Sequence, residues 1–317
     1  MSGGAATDHD GHHEHFGPAD AAALATNAGT RATWISLAAL AATAGVQLAI
    51  VAASGSVSLL ADTIHNATDA LTAIPLLIAF RLARREPTRR YPYGYHRAED
   101  VAGLTIVALI GISAIAAAAE ALRRLVHPQP VDAVGWVLAA GALGFVGNEA
   151  VAEYRVRIGR RIGSAALVAD GLHARVDGLT SLGVVVATLG VMAGFARADA
   201  VVALVITGAI GVTMWRAARA VLHRALDGTD ESTLALIEAV AGAVPGVEHV
   251  EDARARWSGH RLLADLTVVV EPTLTVHEGH GIAEDARSAL LHEVPRLADV
   301  MVHVDPHDHV HEPPAAP

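Results

Sequence analysis

The stretch LLADTIHNATDALT at residues 59–72 sets Asp62, His65 and Asp69 inside a run that otherwise reads as membrane-buried helix. A second stretch, LVADGLHARVDGLT at residues 167–180, repeats the pattern A-D-x-x-H-x-x-x-D-x-L-T with Asp170, His173 and Asp177. A charged residue at the centre of a membrane helix costs about 2.5–3.5 kcal/mol on insertion scales. A single such residue can be satisfied by a neighbouring helix and serve packing alone. Packing gives no reason for the same triplet to occur twice, so the two stretches are read as halves of one functional site.

The surrounding sequence supports the membrane reading. Apolar runs near residues 33–53, 57–80, 101–122, 133–151, 164–194 and 199–221 are each long enough, at about 20 residues, to cross a hydrocarbon core of about 30 Å. The chain is 52% hydrophobic and 18% charged, with a mean hydropathy of +0.39, which predicts a multi-pass membrane protein. The first run lacks a small-residue cleavage signature and is read as a retained span. Arg81, Arg84, Arg85, Arg89, Arg90 and Arg97 flank one loop, and Arg155, Arg157, Arg160 and Arg161 another. The positive-inside rule then places both termini in the cytoplasm and the chain in the cytoplasmic (inner) membrane. Arg123 and Arg124 fall on the outer side, where they snorkel from a helix end. A net charge of -10 with 18 histidines points to cations as partners and away from nucleic acid. With no cysteine and four methionines, disulfides are excluded and copper(I) is a poor candidate for the bound ion.

The two marked stretches lie in the second and fifth spans. Each repeat then holds three helices, and the odd number inverts the second copy against the first. His65 lies about 12 Å from the outer end of its helix and His173 about 13 Å from the inner end of its own, so the two meet near the bilayer midplane. Within each helix His and Asp are four residues apart and share a face. His65, Asp69, His173 and Asp177 can therefore offer two nitrogens and two oxygens to one ion. That set suits tetrahedral Zn²⁺ and is compatible with Co²⁺, Fe²⁺, Cd²⁺ or Mn²⁺. Asp62 and Asp170 continue the stripe as partners that orient the ligands or as steps along the ion's path.

Composition divides the chain into a His-rich, disordered tail (1–30), a six-helix membrane domain (31–226), a small α+β domain (227–306) and a second His-rich tail (307–317). The α+β domain reads as helix, two strands, helix and strand, with turns at Pro245-Gly246 and Ser258-Gly259. The tail histidines, among them His9, His12, His13, His15, His307, His309 and His311, are read as solvated polar residues.

Over residues 31 to 306 the chain resembles the cation diffusion facilitators, divalent metal exporters with six spans and a cytoplasmic metallochaperone-like domain. The resemblance implies a transport site at His65, Asp69, His173 and Asp177, and Asn66 is similar to subgroups that handle ions other than zinc. It also implies a second site in PTRRYPYGYHRAED (87–100), but Thr88, Tyr91 and Tyr95 stand where ligands are expected, with His96, Glu99 and Asp100 nearby. This loop is read as a basic anchor to anionic lipid. In the last strand, HVDPHD resembles the family's cytoplasmic metal site, implying His303 and Asp305 as ligands with His280 as partner. Glu251 stands where relatives can have His, and Thr267 replaces another ligand. Glu149, beside Asn148, is read as structural, paired with Arg155 or with backbone.

The expected function is proton-coupled export of a divalent metal, zinc first and Co, Cd, Fe, Mn or Ni as alternatives, by a homodimer in contact with membrane lipids. A membrane metal sensor is the competing class. An intramembrane zinc hydrolase would need a motif such as H-E-x-x-H, which does not occur, so no enzyme is expected.

Overall fold

The computed structural model describes residues 18–54, 73–126, 134–195 and 198–306. Among the described residues its first part holds six helices: α1 (Pro18–Ser54), α2 (Ala73–Ala83), α3 (Ala98–Val126), α4 (Val134–Ile162), α5 (Ala165–Met192) and α6 (Ala198–Ala225). Stretches of α1, α4, α5 and α6 are long and apolar enough to span a membrane unaided. α2 is the described end of the second expected span; Asp62, His65, Asn66 and Asp69 lie outside the described residues, as do both tails' histidines. Of the tail expected to be disordered over 1–30, the described residues, from Pro18 onward, are helical. Proline is favoured in a first helical turn, and the alanine-rich sequence after it is a strong helix former. Gly29 then admits the Phe80 ring of α2 so closely that a Cβ there would lie 2.5 Å from Phe80 Cζ.

α4 and α5 form a tight antiparallel hairpin. Gly163 turns the chain at φ +79°, and Ser164 Oγ accepts from Leu167 N to cap α5. Gly144, Gly171 and Gly178 lie along the seam, bringing the two backbones together as small residues do in membrane helix pairs.

The second part contains α7 (Glu231–Gly242), β1 (His249–Ser258), β2 (Arg261–Val270), α8 (Val276–Glu293) and β3 (Leu297–Pro306), the order expected from the sequence. β1 and β2 pair antiparallel around Ser258-Gly259, and β3 returns through α8 to pair parallel with β2. α8 starts with a capping box between Thr275 and Glu278. Ile237, Leu262, Val268 and Leu290, all fully buried, centre the core between the sheet and the two helices.

The β1–β2 turn docks onto the membrane domain. His260 Nδ1 lies 2.8 Å from Glu99 Oε2, and its Nε2 lies 3.2 Å from both Thr26 Oγ1 and the Ala22 carbonyl. Gly259 N donates to Asp100, Arg261 donates to His96, and Arg97 pairs with Asp227. Arg296 donates to the Arg160 carbonyl, and the Arg224 guanidinium at the end of α6 lies over the Trp257 ring of β1, 4.2 Å from its centroid. One α+β domain thus touches the start of α1, the α2–α3 loop, the α4–α5 turn and the end of α6, so all four lie on one side of the bundle. His96, Glu99 and Asp100, the ligand candidates left in the α2–α3 loop, are occupied by the α+β domain.

These contacts respond to pH. Burial, aided by Arg261, holds His96 down to about 4, and burial pushes Asp100 up to about 6; between those values the two act on docking with opposite sign. Burial alone would lower His260, but the hydrogen bond to Glu99 and its charge carry it above the ordinary 6.5. A raised imidazole contributes fully below 6.5 and loses that contribution as pH climbs through the raised value. Amides of residues 259–261 are therefore expected to lose hydrogen-exchange protection above about pH 6.5, and His260→Gln to abolish that dependence. An unchanged profile in the variant would show that the pair does not hold the turn.

Candidate metal centre

Within α5, His173 and Asp177 are one helical turn apart and only 2% and 7% exposed. His173 Nε2 lies 3.9 Å from Asp177 Oδ2. At 1.5 Å per residue they stand about 12 and 18 Å along a helix about 42 Å long, well inside any membrane it crosses. The stripe that faces α4 carries Gly171 and Gly178, and a Cβ on Gly178 would lie 3.3 Å from Asn148 Cβ. This packing fixes α5 in rotation and holds the imidazole and carboxylate in the protein interior. A nitrogen and an oxygen at this separation can take one small cation between them.

Asp170, one turn toward the α4–α5 hairpin turn, faces Arg155 of α4: Arg155 Nη1 lies 2.9 Å from Asp170 Oδ2, with the side chains 1% and 0% exposed. This corrects the expected partner of Glu149, which instead meets Arg175 Nη2 at 2.8 Å. Arg175 also reaches Glu153 at 3.2 Å. Both pairings join residues spaced nearly evenly about the turn at Gly163, as an antiparallel hairpin requires, and that spacing was the available signal in the sequence.

In the α+β domain, His303 Nε2 lies 3.3 Å from Asp305 Oδ1. Strand register places Glu251, Thr267 and His303 in one row, and His249, Val269 and Asp305 in the next. Glu251 is therefore a strand away from His303, about 10 Å across, and pairs with His249 at 3.1 Å, a residue the sequence reading passed over. His280 is not joined to this face. Gly279 of α8 lies over Val304, and α8 packs on the side carrying Val268 and Val304, opposite His303 and Asp305. Among the described residues, no three His, Cys, Asp or Glu side chains gather as a metal set. In the α2–α3 loop, Thr88 and Tyr91 pair through backbone and Tyr91 packs on Tyr95, ring centroids 4.7 Å apart.

A probable cation efflux system protein of Mycobacterium tuberculosis is 52% identical over 284 residues, covering 90% of this chain and 86% of the relative. The manganese efflux system protein MneS of Bacillus subtilis is 27% identical over 283 residues, covering 88% and 93%. A solved MamM CTD is 29% identical over 25% of this chain and 100% of that one, with a TM-score of 0.25. The family described as the cation efflux transmembrane domain matches residues 33–224, and the cation efflux protein cytoplasmic domain matches residues 229–307. With its membrane helices and α+β domain matched in turn and in order, the chain belongs to the cation diffusion facilitators, a family of divalent metal transporters.

Proposed function

We propose that the protein exports zinc from the cytoplasm in exchange for protons, as a homodimer in the cytoplasmic membrane with both termini inside. The observation that carries this reading is the His173–Asp177 pair, nearly fully buried one turn apart within a membrane-length helix. The repeated sequence pattern supplies His65 and Asp69 as the matching half. Two imidazoles and two carboxylates form a tetrahedral set whose negative charge equals the ion's positive charge. Imidazole binds metal only when neutral, so arrival of the ion from the cytoplasm displaces protons, and protons entering from outside release it. The two repeats rock around the fixed site to expose it alternately. Asp62 acts on the path, and His303 with Asp305 forms a cytoplasmic metal pair completed by other groups.

A relative is named as a manganese exporter, so the metal is the point to test. Borderline imidazole favours Zn²⁺ over Mn²⁺. In everted vesicles, acid-inside initial uptake rates are expected to rank Zn²⁺ above Cd²⁺ and Co²⁺, with Mn²⁺ last; a Mn²⁺-first order would overturn the zinc assignment. His65→Asp, which makes the donor set harder, is expected to keep zinc transport and shift the ratio toward Cd²⁺ or Mn²⁺. An unchanged order would mean that His65 does not touch the ion.

A further inference from the structure

We propose that Arg155 sets the affinity and metal preference of the transport site by withholding Asp170 from the ion. The inference rests on the reading of His173 and Asp177 as metal ligands. Asp170, His173 and Asp177 fall at i, i+3 and i+7, one stripe of α5, so position alone would make Asp170 a third ligand. Arg155 takes that carboxylate instead, at 2.9 Å and with both side chains essentially excluded from solvent.

Two features distinguish this pair from a structural rivet. Among the described residues, the Arg155 Nε and Nη2 groups are buried without a hydrogen-bond partner, whereas a guanidinium kept for packing specificity is ordinarily satisfied on all sides. The pair is also locked in place: a Cβ on Gly171 would lie 3.0 Å from Arg155 Cβ and from Val156 N, so α4 cannot be closer, and Arg155 projects directly over the α5 stripe. The other charges on this hairpin near the ligands, Glu149 and Glu153 with Arg175 and Arg157, balance one another on a partly exposed face. Among the described residues, Arg155 and Asp170 are therefore the interior charges that the ion meets one turn from His173. Paired, they contribute no net charge, and the ion is matched by the ligand carboxylates alone. Without Arg155, Asp170 becomes an additional hard oxygen donor. Without Asp170, a buried positive charge opposes the ion.

This predicts shifts of opposite sign. Equilibrium affinities for Zn²⁺ and Mn²⁺ are measured on the purified full chain, with size-exclusion profile and melting temperature as folding controls. R155Q is expected to tighten binding at least ~10-fold, more for Mn²⁺ than for Zn²⁺, and D170N to weaken it at least ~10-fold. The R155Q/D170N double variant is expected to return to within about threefold of wild type. Weakening by both single variants, or no change in either, would overturn the proposal. Should R155Q not fold, R155H carries the charge only at low pH: its Mn²⁺ affinity relative to wild type is expected to rise between about pH 6 and 8, and a constant ratio would overturn the proposal equally. D177N is the separate control. If it binds metal as wild type does, the transport-site reading fails; if it loses binding while the opposite shifts are missing, only the role of Arg155 fails.

Discussion

Asp177→Asn is expected to abolish metal transport while leaving a folded, membrane-inserted protein. The carboxylate is 7% exposed and sits beside His173 in the interior of α5, where an anion persists only if a cation or a proton offsets its charge. The amide has the same shape and removes that charge, so packing of α5 is retained and the ion loses its compensation. Removing groups that merely orient a ligand lowers metal affinity or activity by about 10–100-fold, so loss of the ligand itself should reach at least ~100-fold in initial rate. Asp69→Asn is expected to behave alike. The rates are read in proteoliposomes under a proton gradient, alongside the size-exclusion profile. Wild-type flux in a well-folded Asp177→Asn protein would remove Asp177 from the site.

Gly171→Ala is expected to reduce the yield and melting temperature of the folded protein sharply, and Gly171→Leu to prevent folding. The added Cβ would lie 2.8 Å from Val156 Cγ2 and 3.0 Å from Val156 N. A side chain can rotate away, but a backbone nitrogen moves only if α4 leaves α5. Overpacking of this kind costs about 1–3 kcal/mol for one methyl group, and here it would also carry Arg155 away from Asp170. Gly208→Ala is the contrast, because among the described residues nothing lies within 4 Å of its Cβ position in α6. Alanine there is expected to be neutral or stabilising by up to about 1 kcal/mol through helix propensity. Equal losses at both positions would refute the close-packed seam.

The membrane helices, the α+β domain and its element order were legible in the sequence because each depends on short-range pattern. Hydrophobic length decides whether a helix can span, and 2.0 or 3.6 periodicity decides strand or helix. The His173–Asp177 pair was equally legible, since a spacing of four puts two side chains on one face of any helix. The start of α1 was not legible, because the side chain it meets, His260 at Thr26, lies more than 200 positions away in the chain. Partners across elements depend on which helix faces meet and at what height. Glu149 and Arg155 lie on the same helix, six residues apart and on different faces, and only the packed α4–α5 seam assigns Arg175 to one and Asp170 to the other. In the same way, the sequence places His280, His303, Asp305 and Glu251 in one small domain. The three-dimensional sheet then sends His280 to one face, His303 and Asp305 to the other, and Glu251 a strand away, because side-chain direction is set by strand register and helix packing rather than by residue type.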